Sequence, residues 1–148
     1  MGPMHLQRPV VLSAGARRLG LEWAMLNWFA IAGGGAVGAL LRFWISGGVY
    51  ALLGRSFPYG TLAVNVIGSL LMGFLYVWFL ERASLDPAWR AAILVGLLGA
   101  FTTFSTFALE TFNLLEEGDY AKAVLNMLGS VLFCVLAVAL GMWLARRM

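Results

Sequence analysis

The sequence predicts an all-α integral membrane protein with four transmembrane helices, and three observations predict it. Of the 148 residues, 61% are hydrophobic and 11% are charged, against about 25% charged in an ordinary soluble domain. A mean hydropathy of +0.86 leaves too much apolar surface for a soluble chain of this length to hide. Four apolar runs each meet or exceed the ~20 residues that cross a bilayer core. None of the four alternates as a strand would, and backbone groups in lipid must be bonded internally, so helices are the expected form.

The runs extend from about Trp28 to Leu53, with Arg42 inside, from Thr61 to Leu80, from Trp89 to about Leu115, and from Ala121 to Ala145. Breakers and charges mark the connections: Gly54-Arg55-Ser56-Phe57-Pro58, Arg82 to Pro87, and Glu116-Glu117-Gly118-Asp119. Trp28, Tyr59, Trp78, Trp89, Tyr120 and Trp143 stand near span ends, where amphipathic rings meet the interface. Residues 1–24 differ in character. Their apolar piece, Val10 to Leu12, is too short for a secretory signal. They read as a disordered or interfacial tail, or as the product of an upstream start before a working protein that begins near Met25, so the four-helix unit is 25–148. Seven Lys and Arg lie on the face shared by the N-terminus, the second loop and the C-terminus, against two on the other, which places the N-terminus inside. Without the tail the comparison is four against two.

A net charge of +3 is too small and scattered for nucleic acid. The single cysteine, Cys134, excludes an internal disulfide and a cysteine metal cluster. The single histidine, His5, lies in the tail, so no nucleophile–base pair or metal triad can be assembled, and the chain is not read as an enzyme.

Polar groups at membrane depth are costly and need a reason. In the first span, GGGAVG formally matches a dinucleotide fingerprint, but no strand or βαβ unit surrounds it. Gly34 and Gly38 instead make a G-x-x-x-G packing pair. Arg42, one turn on, is expected to anchor the span by snorkelling or by finding an acceptor. In the second span Thr61, Asn65, Gly68 and Ser69 share one helix face, and Asn65 reads equally as interhelical glue or as a functional donor. Asn126, Ser130 and Cys134 repeat such a stripe on the fourth span, so a polar track is expected. The third span carries GAFTTFSTF at 99–107. Gly99 and the β-branched Thr102-Thr103 lower helix propensity. An unwound turn frees carbonyl oxygens, which membrane proteins tolerate around a cation or a cavity. A broken third helix is therefore expected, with Phe104 and Phe107 projecting together beyond the break.

Three segments, GGGAVGALLRF at 33–43, GTLAVNVIGSLLMG at 60–73 and GLLGAFTTFSTFALE at 96–110, resemble the signature segments of the Fluc/CrcB fluoride channels in order and spacing. The resemblance covers about Met25 to Met148. It implies an antiparallel, dual-topology homodimer of four-helix subunits in the bacterial inner membrane, passing fluoride passively out of the cytoplasm. It implies a structural Na+ at the dimer centre, held by the backbone carbonyls of Gly99 and Thr102. It implies a fluoride pathway along Asn65, Phe104 and Phe107, with Thr61, Thr106 and Ser130 in the polar track. Asn126 stands where the family often has tyrosine, and Cys134 where a hydroxyl residue can occur. The chemistry suits the cargo: amide and hydroxyl donors replace water around a small anion, and aromatic edges are electropositive. A competing reading is a small proton-coupled multidrug transporter. It requires a buried carboxylate, for which Glu110 is the one candidate inside a span. A non-transporting assembly subunit would explain the glycines but neither polar stripe.

Overall fold

A computed structural model describes residues 14–82 and 85–148. The structure is all-helical. Four helices among the described residues are long and apolar enough to cross a membrane: Met25–Leu53, Tyr59–Glu81, Pro87–Glu116 and Tyr120–Arg147. This is a multi-pass membrane protein.

Helix α1 is Ala14–Leu53, so helix continues from the first span into the tail. Residues 1–13, the remainder of that tail, lie outside the described residues. Helix α1 stops at Gly54, whose φ of +79° suits a residue without Cβ, and Gly54 N–H bonds back to Tyr50 O at 3.0 Å. Helix α2 is Tyr59–Val77, prolonged by π-helical turns at Trp78–Arg82. The third span opens at Pro87–Arg90, where Asp86 caps the helix by accepting from Ala88 N–H at 2.8 Å. Proline at the first helical position costs nothing there, because its missing N–H has no intrahelical partner. A π-helical stretch, Ala91–Leu98, and a last turn, Gly99–Phe101, complete α3, residues 87–101. Helix α4 is Phe104–Glu116. Gly118, at φ +80°, turns the chain into α5, Tyr120–Arg147.

Helix association in lipid has no hydrophobic drive of the aqueous kind, so close backbone approach must supply it. The structure does this twice. A Cβ at Gly34 would collide with Ala92 O, one at Gly38 with Leu97 O, and one at Gly96 would lie 2.5 Å from Ile31 O. These contacts bind α1 to α3. A Cβ at Gly73 would collide with Val138 O, and one at Gly141 with Leu70 O, which binds α2 to α5. The dinucleotide-like GGGAVG is thus a helix-contact surface. Large side chains such as Phe29, Phe43, Leu52 and Leu128 point outward, as they can when the solvent is lipid.

The contact is sharp enough to test. Gly38→Val forces a side chain against the Leu97 carbonyl and is expected to destabilise by about 1–3 kcal/mol or more, read as a lower thermal unfolding midpoint in detergent. Gly47→Val, at a position with no atom within 4 Å of a Cβ, should leave the midpoint near the wild type.

Candidate functional site

Between α3 and α4 two residues leave helical geometry. Thr102 has φ −86° and ψ 159°, and Thr103 has φ −151° and ψ 117°. What stabilises them is Asn65 of α2. Its Nδ2 donates to Thr103 O at 3.0 Å, and its Oδ1 accepts from Thr103 N–H at 2.7 Å. One carboxamide thus pairs with both backbone groups of one residue, as a neighbouring strand would.

This pairing redirects two donors. Thr103 N–H would close a helical bond to Gly99 O, but it goes to Asn65. Thr106 N–H would close one to Thr102 O, but it goes to Thr103 Oγ1 at 3.2 Å, the N-cap bond of α4. Thr103 is buried and its hydroxyl donates to Thr106 Oγ1 at 3.0 Å. The proton of Thr106 is left available. Thr102 remains tied backward, with both its N–H and its hydroxyl on Leu98 O at 3.1 Å. Gly68 allows this turn to approach α2, since a Cβ there would meet Thr102 Cγ2.

Beside the interruption lies a groove of about 420 Å³. Asn65, Ser69, Thr102, Thr103 and Ser130 give it polar walls; Phe104, Phe107 and Cys134 give it apolar ones. None of its lining residues is charged. The two phenyl rings lie 5.3 Å apart at 45°, with Phe104 at the protein surface and Phe107 half-buried. Asn65 keeps one N–H for the groove, since only one of its two donors is spent.

Other residues singled out from sequence lie elsewhere. Gly99 is exposed and is not part of the groove lining. Thr106 is half-buried beside the cap. Asn126 is buried one turn before Ser130 on α5, bonded to Thr111 Oγ1 at 2.8 Å and accepting from Ser130 Oγ at 3.3 Å. Thr61 sits at the start of α2. Its hydroxyl lies 3.3 Å from Tyr50 OH, which in turn donates to Glu110 Oε1 at 2.6 Å. Arg42 is half-buried and has no ion-pair partner among the described residues. Gly34 and Gly38 face α3. Glu110 does not reach the groove; its Oε2 is buried without a partner, facing a smaller pocket with Arg55, Asn113 and Glu117. Sequence reasoning missed Tyr50 and Thr111. Thr111 carried one signal: it follows Phe107 by four and returns its hydroxyl to Phe107 O at 2.7 Å, as helical threonines do.

A sequence model of the family described as CrcB-like protein, Camphor Resistance (CrcB), matches residues 29–142. The chain belongs to the CrcB family. It is 60% identical over 123 residues to a protein of Methylococcus capsulatus named fluoride-specific ion channel FluC. That match takes in 83% of this chain and 54% of the relative, so the chain spans about half of that longer protein. A namesake from Magnetococcus marinus is 54% identical over 82% of this chain and 97% of its own length. One from Geobacter sulfurreducens is 48% identical over 84% of this chain and all of its own. These CrcB relatives are named as ion channels, not enzymes. The three motif segments all lie inside the matched region, and so does every residue of the Asn65–Thr103 pairing.

If Asn65 holds Thr102 and Thr103 extended, its removal has a structural signature. Asn65→Leu leaves the buried Thr103 N–H unpaired, at about 1–3 kcal/mol, and leaves Thr103 C=O with only its helical bond. The expected outcome is faster amide hydrogen exchange at residues 102–106. Unchanged exchange there would show that the pairing does not stabilise the interruption.

Proposed function

We propose that this chain is a fluoride-selective passive channel that exports fluoride from the cytoplasm across the bacterial inner membrane and confers fluoride resistance. The family and the names of its relatives support the cargo. The observation that carries the reading is the groove itself. It brings an uncommitted Asn65 N–H, hydroxyl groups and the paired rings of Phe104 and Phe107 to one uncharged surface.

Fluoride is small and strongly hydrated, so a path through lipid must replace its water. Amide and hydroxyl donors do that without a fixed cation, and a full positive charge in the path would retain the ion rather than release it. The ring edges of Phe104 and Phe107 carry the positive side of the aromatic quadrupole and add anion contacts where further polar groups would be costly. Thr106 has a free hydroxyl proton and extends the donor set beyond the rings. Thr61, beside Tyr50 and Glu110, would meet the ion near the end of the span, and Ser130 meets it on the α5 wall.

In this reading two copies pair antiparallel, giving two pathways. A structural Na+ between them would be held by the carbonyls of Gly99 and Thr102. The residues fit that group: the N–H groups of Thr103 and Thr106, which would close helical bonds to these two carbonyls, bond instead to the side chains of Asn65 and Thr103, and oxygen-only ligation suits a hard cation. Gly99 is also exposed on the single chain, where a second copy could reach it. When bound, the ion supplies a fixed positive charge that favours anions nearby.

Purified protein in liposomes loaded with fluoride should release it to an external electrode. Phe104→Ile and Phe107→Ile should each slow release about tenfold or more, an added barrier of about 1.4 kcal/mol, while the oligomer elutes unchanged. Chloride release at the fluoride rate would overturn the selectivity. For the cation, preparation in Na+-free buffer should cost dimer stability and flux together; a fully active dimer without Na+ would remove the ion from the reading.

A further inference from the structure

Asn126 looks from sequence like a pathway donor, but its surroundings give it a different part. It is 2% exposed and does not belong to the groove lining. Its Nδ2 donates to Thr111 Oγ1 at 2.8 Å, and Thr111, itself buried, donates to Phe107 O at 2.7 Å. Its Oδ1 accepts from Ser130 Oγ at 3.3 Å. One carboxamide therefore links the α5 wall of the groove, through Ser130, to the α4 wall, through the backbone of Phe107.

The linkage matters because of what else holds α5. That helix packs far more extensively on α2 than on α4, and its close backbone contacts, at Gly73 and Gly141, are with α2. The buried Asn126–Thr111 bond is the polar tie from α5 to the helix that carries both phenylalanines. Phe107 O accepts the Thr111 hydroxyl in addition to its place in the helical ladder, a bifurcated arrangement of the kind that often bends helices. We infer that Asn126 is a positioning residue: through Thr111 it sets the placement of Phe107 opposite Ser130, and through Oδ1 it sets the direction of the Ser130 hydroxyl.

The second half of this assignment has a chemical consequence. With its proton directed to Asn126, Ser130 presents lone pairs to the groove. An anion would meet repulsion there until the hydroxyl rotates. At 3.3 Å the bond is longer than the usual ~2.5–3.0 Å for O–H···O and correspondingly weak, so a strong acceptor entering the groove can draw the proton away, and a weak one gains little. Asn126 thus makes Ser130 a conditional donor whose response depends on the basicity of the ion. This inference rests on the fluoride reading for its cargo, but the positioning of Phe107 does not.

The experiment uses the full chain with two readouts. Asn126→Leu and Thr111→Val each remove the tie, and Thr111→Ser retains it. A 4-fluorophenylalanine placed at position 107 should show the same displaced 19F resonance in the first two variants and in their double, and the wild-type resonance in Thr111→Ser. In liposomes, Asn126→Leu should lower fluoride release about tenfold, with Thr111→Val equal to it and the double no worse, because residues acting as one unit are not additive. Thr111→Ser should restore release. Fluoride-over-chloride selectivity should fall in Asn126→Leu and hold in Thr111→Val, since only the former frees the Ser130 proton. Wild-type 19F resonances in both single variants, or losses of release that multiply, would overturn the assignment. A wild type that carries no fluoride but shows the coupled resonances would sink the fluoride reading and uphold the positioning.

Discussion

A pair of hydrogen bonds between the Asn65 side chain and the Thr103 backbone is the constraint on which the rest of the site depends. A backbone that leaves helical geometry inside a membrane strands its own polar groups, and lipid offers no replacement. The carboxamide is the side chain whose donor and acceptor reproduce a peptide unit, so it can substitute for a strand where no strand exists. Once Thr103 is held, its hydroxyl is free to cap α4, and Phe104 and Phe107 follow at fixed angles from that cap. The carbonyls of Gly99 and Thr102 are released as a by-product of the same exchange. Cation ligands and aromatic anion contacts would then arise from a single substitution of hydrogen-bond partners.

That exchange needs a frame that does not yield. Two glycine-mediated contacts provide it: α1 against α3 and α2 against α5, each carried on backbone carbonyls with no side chain between. Because these contacts run backbone to backbone, they fix axial register as well as distance. Asn65 lies on α2 and Thr103 follows α3, so the pairing joins the two stapled halves. The groove opens along that junction, with α5 supplying Ser130 and Cys134 from one half and α3 and α4 supplying the interruption from the other.

Much of this was legible in the sequence, for reasons that differ element by element. The four spans follow from hydropathy, because lipid imposes the same requirement on every segment that crosses it. The glycine pair at 34 and 38 was readable as packing because its spacing is local. The odd chemistry of 99–107 was visible in composition, yet the cause of the extended backbone at Thr102 and Thr103 was not. It comes from a residue 38 positions earlier in the chain. The buried bond of Asn126 to Thr111 and the half-buried one of Tyr50 to Glu110 were hidden for the same reason. Pattern reading placed Asn126 on the correct helix face with Ser130, and only the facing helix reveals that its amide is already engaged. The π-helical stretch had no sequence signature, since Ala-Ala-Ile-Leu-Val-Gly-Leu-Leu suits an ordinary α-helix as well.

The π-helical stretch at Ala91–Leu98 also bears on what this chain can tolerate over evolutionary time. Wider turns advance each residue through a smaller angle than an α-helix does, so the direction in which Thr102 and Thr103 leave α3 is an accumulated phase. It depends on how many residues the stretch contains rather than on which apolar residues they are. Substitution among Leu, Ile, Val and Ala would preserve that phase, whereas a single insertion or deletion would turn the interruption away from Asn65 while leaving the hydropathy profile intact. Apart from Gly96, whose Cβ would meet Ile31 O, the segment is thus permissive to apolar exchanges and closed to changes of length, a kind of constraint that counts residues instead of naming them.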